Sequence, residues 1–303
     1  MFKPLECNLG EDQRCFIQSF PDRDETEGFR DFTCNGLSYD GHKGTDFALR
    51  SHLDIQNNIP VIAAADGIVK GTRDGMVDKV YTSEHATEIA GRDCGNGLVI
   101  DHGRGWETQY CHLKRGSLSV ASGQSVKKGT RLGYVGMSGR AAFPHLHLSV
   151  RKNGQTVDPF APTRQHTCNS EPKSLWADTL EYQPGGLVSV GFSDHVPTYF
   201  DVKSGVAAQT DFSTTSKALV FWALGFGARP GDQMRLTISS ESGDQILTKT
   251  LELSKAQAQF FRAAGRKTNR ADWFGAGDYV GIAQFIRNNE IISDADISIT
   301  VTD

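Results

Sequence analysis

No stretch of the chain approaches the ~18 consecutive apolar residues that a membrane-crossing helix needs, so its 303 residues contain no candidate helical span. A basic excess is missing too: 32 Lys and Arg stand against 36 Asp and Glu, for a formal charge of −4. That balance excludes the broad cationic footprint of a nucleic-acid-binding protein. None of the six cysteines forms a CxxC or other close zinc-type pair, and none occurs after Cys168. The opening MFKPLECNLGEDQ has neither the apolar core nor the cleavage site of a signal peptide, and there is no internal repeat or low-complexity tract. The length predicts two domains, because a single core stops growing near ~250 residues.

The cysteines carry the first positive signal. NGLVIDHGRGWETQYCHL reads as two strands around a turn at His102-Gly103-Arg104-Gly105. Such a hairpin sets residues whose numbers sum to about 205 to 207 opposite each other, which pairs Cys94 with Cys111 across the strands. Cys7 with Cys15 would close a small loop and leave Cys34 with Cys168, one of several connectivities that six cysteines allow. The competing reading is six buried thiols. Disulfides need an oxidising compartment, so the expectation is a periplasmic or secreted protein whose signal peptide was removed before Met1.

From about Gly36 to Phe160 short β-like runs alternate with glycine-rich turns, and no amphipathic helix pattern persists. NSEPKS reads as a linker, giving domains at 1–168 and 169–303. The second contains LVSVGF, ALVFWALGFGA and two hairpins, MRLTISSESGDQILTKTLEL and YVGIAQFIRNNEIISDADISITV. This is the strand spacing of a β-sandwich. SKAQAQFFRAAGRK, rich in Ala, Gln and Lys and closed by Gly265, predicts a single helix of about three turns. The aromatics Phe221, Trp222, Phe226, Trp273, Phe274, Tyr279 and Phe285 are expected in the sandwich core rather than on a ligand shelf. The fold class is therefore mainly β.

In FPHLHLSV successive side chains of a strand point to opposite faces, so His145 and His147 share one face while Leu146, Leu148 and Val150 take the other. YDGHKGTDFALR adds His42 and Asp46. Two glycines within five positions argue against a helix, and in an extended segment these residues again share a face. QYCHLKRG adds His112 at the end of a hairpin strand. Four imidazoles and a carboxylate on three β segments are the neutral and anionic donors that zinc takes. Spacing alone leaves open which of them bind, since i and i+2 on a strand can both reach one ion.

From about Tyr39 to Phe160 the chain resembles the lysostaphin-type, LytM-like zinc endopeptidases of bacterial peptidoglycan. The resemblance rests on GHKGTDFA, PVIAAADGIVKG, CGNGLVIDHGRGWETQYCHL, GQSVKKGTRLGYVGMSG, PHLHLSV and NGQTVDPF, in the family's order. It implies a LytM-like antiparallel β-sheet catalytic domain that holds one Zn²⁺ per chain and cuts peptide bonds of stem peptides or cross-bridges. His42, Asp46 and His147 match the metal ligands. His112 and His145 match the two catalytic histidines beside the metal, with His145 favoured as the base. Three protein ligands leave a tetrahedral position for water, whereas four would make a closed structural site.

Ala142 and Phe143 before PHLH, and Leu148 and Ser149 after it, depart from the family's usual residues. Phe143 either reshapes the substrate groove or is merely packed. Asn96 reads as a turn residue within reach of substrate, and His52, His85, His102, His166 and His195 as residues outside the site. No Asp or Glu occurs between Thr108 and Val157, where Lys114, Arg115, Lys127, Lys128, Arg131, Arg140, Arg151 and Lys152 stand. That run is either a positive field for anionic wall peptides or a scatter of solvated charges. Two rival readings compete with the enzyme. A non-catalytic regulator of other wall hydrolases is expected to lack part of the His/Asp set, which is complete here, and a biotinyl or lipoyl carrier leaves the histidines unexplained. The second domain is expected to position the enzyme on the wall, bind a regulatory protein partner or cover the groove.

Overall fold

The computed structural model describes residues 1–9, 14–163, 173–267 and 275–303. The chain divides into two compact units, Met1–Tyr182 and Gln183–Asp303.

In the first unit the strands are β1 (Cys15–Ser19), β2 (Thr45–Leu49), β3 (Pro60–Ile62), β4 (Gly67–Arg73), β5 (Gly97–Gly103), β6 (Trp106–Cys111), β7 (Ser125–Val126), β8 (Arg131–Tyr134), β9 (His145–Lys152) and β10 (Gln155–Val157). The main sheet runs β1-β2-β9-β6-β5-β4-β7, with β10 beside β9 and β3 paired to β8 in a small second sheet. All of these pairings are antiparallel, as the glycine-punctuated strand pattern predicts. Phe47, Leu146, Leu148 and Tyr110 are sealed in the core. The apolar face of β9 is thus the one expected from alternation. Beyond the compositional boundary, residues 173–182 pack with this unit. Trp176 lies edge-on to Phe47 at 6.2 Å, and the Tyr182 hydroxyl donates to Asp31 at 2.7 Å.

The β5–β6 hairpin turns through Arg104 and Gly105, both at positive φ. Its register is one to three residues away from the expected one, with Leu98 opposite Tyr110 and a bulge between Asp101 and Gly103. The Cys94–Cys111 disulfide nevertheless forms, because Cys94 lies in the turn before β5 with its Cα 4.8 Å from that of Cys111. Cys7 pairs with Cys15. Cys34 is also disulfide-bonded, and Cys168, its expected partner, lies outside the described residues.

The second unit comprises β11 (Gly186–Ser193), β12 (Phe212–Ser213), β13 (Ala218–Ala228), β14 (Asp232–Ser240), β15 (Gln245–Leu253), β16 (Gln257–Lys267), β17 (Gly277–Arg287) and β18 (Glu290–Thr302). The sheets β11-β13-β16 and β12-β18-β17-β14-β15 enclose a core built on Phe192, Phe221, Phe260, Met234 and Phe285. Both expected hairpins are present, and the second turns through Asn288 and Asn289 at positive φ. Phe221, Phe226, Tyr279, Phe285 and Trp222 are buried as anticipated, while Trp273 and Phe274 lie outside the described residues.

The helix expected over residues 254–267 is instead strand β16, paired with β13 from Ala218 opposite Lys267 to Ala228 opposite Gln257. Helix propensity amounts to only a few tenths of a kcal/mol per residue and yields to packing. Phe260 enters the core and meets Phe285 at 5.0 Å. Gly265 is no helix cap: a Cβ there would stand 2.4 Å from the Leu219 carbonyl oxygen. The one helix among this unit's described residues is Tyr199–Ser204, with a Thr198/Asp201 capping box and Gly205 closing it in the left-handed region.

Candidate metal centre

Antiparallel pairing of β2 with β9 sets Asp46 opposite His147, and β6 pairs Cys111 with His147 on the other side. His42 stands just before β2, outside the strand, and folds back so that its Nε2 lies 3.2 Å from Asp46 Oδ1. The approach depends on Gly44, where a Cβ would meet His147 Nε2 at 2.5 Å and the Leu148 carbonyl at 2.7 Å. His147 Nδ1 completes a triangle, 2.8 Å from Asp46 Oδ1 and 3.2 Å from His42 Nε2. Among the described residues these three form the one group of His, Cys, Asp and Glu side chains arranged to hold a metal ion.

The tetrahedral geometry of zinc, with ligands at ~2.0–2.1 Å, implies donor–donor edges of about 3.3 Å. The two edges that meet at His42 Nε2, both 3.2 Å, match that size, and the His147–Asp46 edge, at 2.8 Å, is shorter. The far side of each ring is also tied down. His42 Nδ1 is 2.8 Å from the Phe20 carbonyl oxygen, which can only accept, so the proton sits on Nδ1 and the Nε2 lone pair faces the triangle. His147 Nε2 is 3.0 Å from Ser149 Oγ. Burial pulls the His42 pKa down, but the Asp46 carboxylate beside it more than offsets this and raises it. Burial also works against the Asp46 charge, yet His42, His145 and His147 outweigh it and hold the carboxyl well below the usual range.

His145 and His112 lie beside the triangle. His145 Nε2 is 3.6 Å from Asp46 Oδ1, and the His112 and His145 rings are 4.6 Å apart. Each donates its Nδ1–H to a backbone carbonyl at 2.8 Å, His112 to Ser138 and His145 to Phe143. Their Nε2 atoms keep a lone pair. His112 follows the last residue of β6 at φ +64°, with its N–H bonded to the Cys94 carbonyl at 2.8 Å. Burial first, then the neighbouring His145 and His147, drives its pKa well below the ordinary value. Burial likewise lowers His145.

Two aromatics flank the group. Tyr39 stacks on His42 at 4.3 Å and Phe143 on His145 at 4.5 Å. Burial raises the Tyr39 pKa, Asp46 adds to the rise, and the positive charge of Arg140 opposes it. Asn96 is fully buried and bonds Met76 and the Leu113 carbonyl, as a scaffold residue does. Three cations of the basic run have partners within the domain. Lys127 pairs with Asp66, Arg151 with Glu107, and Lys152 covers Trp106. His102 bridges the Asp66 carbonyl and Thr108, His85 meets Thr82, and His195 pairs with Asp194. His52 begins a short 3₁₀ turn, and His166 lies outside the described residues. The sequence reading overlooked Tyr39, Ser149 and the Phe20 carbonyl. Ser149 carried a usable signal, since it shares the strand face of His147 two residues on.

Residues 40–159 match the model of Peptidase family M23. Over 122 residues the chain is 36% identical to the DD-carboxypeptidase/endopeptidase Mpg of Neisseria meningitidis, an alignment covering 40% of this chain and 22% of that protein. Over 117 residues it is 34% identical to the peptidoglycan DD-endopeptidase ShyA of Vibrio cholerae, covering 39% and 22%. A crystal structure of a zinc-containing peptidase from Vibrio cholerae shares 28% identity at a TM-score of 0.30, over 51% of this chain and 45% of that one. The chain thus spans about a fifth of the length of the curated relatives it matches. Residues 40–159 of this chain are thus similar to Peptidase family M23.

Proposed function

We propose that the first unit is a zinc-dependent endopeptidase that hydrolyses peptide bonds in peptidoglycan stem peptides or cross-bridges. The observation that carries this reading is the convergence of His42 Nε2, Asp46 Oδ1 and His147 Nδ1 within 4.8 Å of one another, beside two further histidines whose Nε2 lone pairs are unspent. In this reading His42, Asp46 and His147 hold Zn²⁺. Bound there, the ion supplies a Lewis acid for the scissile carbonyl and acidifies water toward pH ~7.

His145 is the general base. Its depressed pKa keeps it neutral at pH 7, and its Nε2 lies 3.6 Å from Asp46 Oδ1. It takes the proton of the attacking water and delivers it to the leaving amine. His112, held by the Ser138 carbonyl, presents Nε2 toward the scissile carbonyl; its resting ring is neutral, and the negative charge that develops on the oxyanion favours the protonated ring that stabilises it. The similarity to the peptidoglycan DD-endopeptidase ShyA of Vibrio cholerae supports peptidoglycan as the substrate. The Cys7–Cys15 and Cys94–Cys111 bridges support an oxidising, extracytoplasmic location. The complete His/Asp set disfavours a purely regulatory role.

Defined cross-linked muropeptides, incubated with the protein with and without a chelator and analysed by mass, test this reading. A new amine and carboxylate pair that disappears with chelation is expected; intact substrate after incubation with zinc-loaded protein contradicts it.

A further inference from the structure

The segment Ser138–Phe143 forms the rim on which both unspent histidines rest, through the Ser138 and Phe143 carbonyls. Gly139 within it has φ +78°, and a Cβ there would stand 2.4 Å from the Asp93 carbonyl oxygen, so the turn has one available geometry. Arg140 follows, exposed at its side chain and anchored at its backbone N–H, which donates to the Asp93 carbonyl at 2.8 Å. Its guanidinium lies 5.5 Å over the ring of Tyr81.

Tyr81 and Gly139 line an open cavity of about 530 Å³. The Lys and Arg side chains that line that cavity are occupied: Arg73 bonds the Gly95 carbonyl, Lys79 pairs with Glu88, and Arg92 bonds the Glu88 carbonyl. No carboxylate among the described residues forms an ion pair with Arg140. It is also the cation of the basic run that stands on the rim itself.

We propose that Arg140 is a specificity-determining residue that binds a free carboxylate on the leaving amino acid of the substrate, the residue whose nitrogen the scissile amide contains. This rests on the peptidase reading above. A carboxylate on the carbon next to that nitrogen is a planar, two-oxygen anion within a few ångströms of the reacting atoms. A guanidinium fork pairs with such a group through two parallel N–H···O bonds, which a lysine ammonium cannot reproduce. The same chemistry occurs in two substrates: a chain end that loses its last residue, and a cross-link whose amine-side residue keeps its own carboxylate.

Two peptides that differ only at the leaving residue, one with a free carboxylate and one with a carboxamide, separate the possibilities. With zinc-loaded full-length protein, wild type is expected to favour the carboxylate by tenfold or more in kcat/KM. In Arg140→Ala the discrimination falls below twofold, through a higher KM for the carboxylate peptide, and Arg140→Lys recovers part of it. Calorimetric binding of both peptides to a His145→Ala background, with and without Arg140→Ala, is expected to follow the same order without turnover. Equal treatment of the two peptides by wild type, or equal loss on both in Arg140→Ala, overturns the assignment. Should wild type cleave neither peptide, the peptidase reading fails, and binding still decides: a carboxylate preference abolished by Arg140→Ala supports the assignment, and its absence overturns it.

Discussion

His147 illustrates how much of a candidate ligand lies behind it. Its Nδ1 faces Asp46 and His42, and Ser149 holds Nε2 at 3.0 Å. Groups that orient a metal-binding imidazole are typically worth 10–100-fold in affinity. Ser149→Ala, a small change on the same strand, should therefore weaken zinc binding at least ~10-fold with the fold intact, as measured by competition with a chromogenic chelator; unchanged affinity would show that Ser149 does not orient the ring. Burial of the neighbouring imidazole bears on pH. His145 is depressed from the ordinary histidine value of 6.5, so its basic form persists below that pH and is lost only as pH falls through the lowered pKa. The acidic limb of kcat/KM should accordingly have its midpoint below 6.5. A midpoint above it, in a pH series on a fixed peptide, would count against His145 as the base. Of the site, the donor types were legible in HLH and HxxxD and the shared strand face in HLH, whereas His42 lies before β2 and not on the strand face expected for it. The assignment of binding and non-binding histidines was not, because it depends on which ring nitrogen a distant carbonyl occupies.

At the scale of elements, the end of β6 and the turn before β5 act together. Cys111 is covalently next to His112, the Cys94 carbonyl accepts the His112 N–H, and the disulfide joins the two. Since His112 is in the left-handed region that side chains rarely adopt, its conformation depends on that support. Cys94→Ser with Cys111→Ser should lower kcat on the order of 10-fold or more while zinc content stays at wild-type stoichiometry, as peptide hydrolysis and metal analysis would show; unchanged kcat would mean that the bridge does not set His112. Elements also show where the sequence misleads. The Ser-Gly-Asp and Asn-Asn hairpins were readable from their turn residues. In SKAQAQFFRAAGRK the local preference for helix was real, but the open edge of β13 and a core space for Phe260 decided for a strand. The true helix carried its own signal in Thr198, Asp201 and Gly205, a capping box too short to stand out as a periodic pattern.

Across the whole molecule, each unit has its own core. In the second, Arg287 is buried and holds Asp232 through two bonds of 2.9 and 2.7 Å while also donating to the Pro184 and Gly227 carbonyls. Removing one partner of such a buried pair strands the other charge, at a cost of about 3–5 kcal/mol. Arg287→Ala should lower the denaturant midpoint of the second unit and leave that of the first in place, followed by tryptophan fluorescence and zinc release in parallel; a joint shift would mean that the units unfold as one. Length and strand pattern predicted two β-rich domains meeting at 168/169, whereas the division at Tyr182/Gln183 rests on Trp176 and Tyr182 docking onto aromatic partners far away in sequence. The central claim is the division of labour among five side chains. Zinc content of purified wild type, His147→Ala, His145→Ala and His112→Ala, by plasma mass spectrometry, tests it most directly. One equivalent is expected in wild type, His145→Ala and His112→Ala, and none in His147→Ala. Zinc lost from His145→Ala, or retained at full stoichiometry by His147→Ala, would contradict the account.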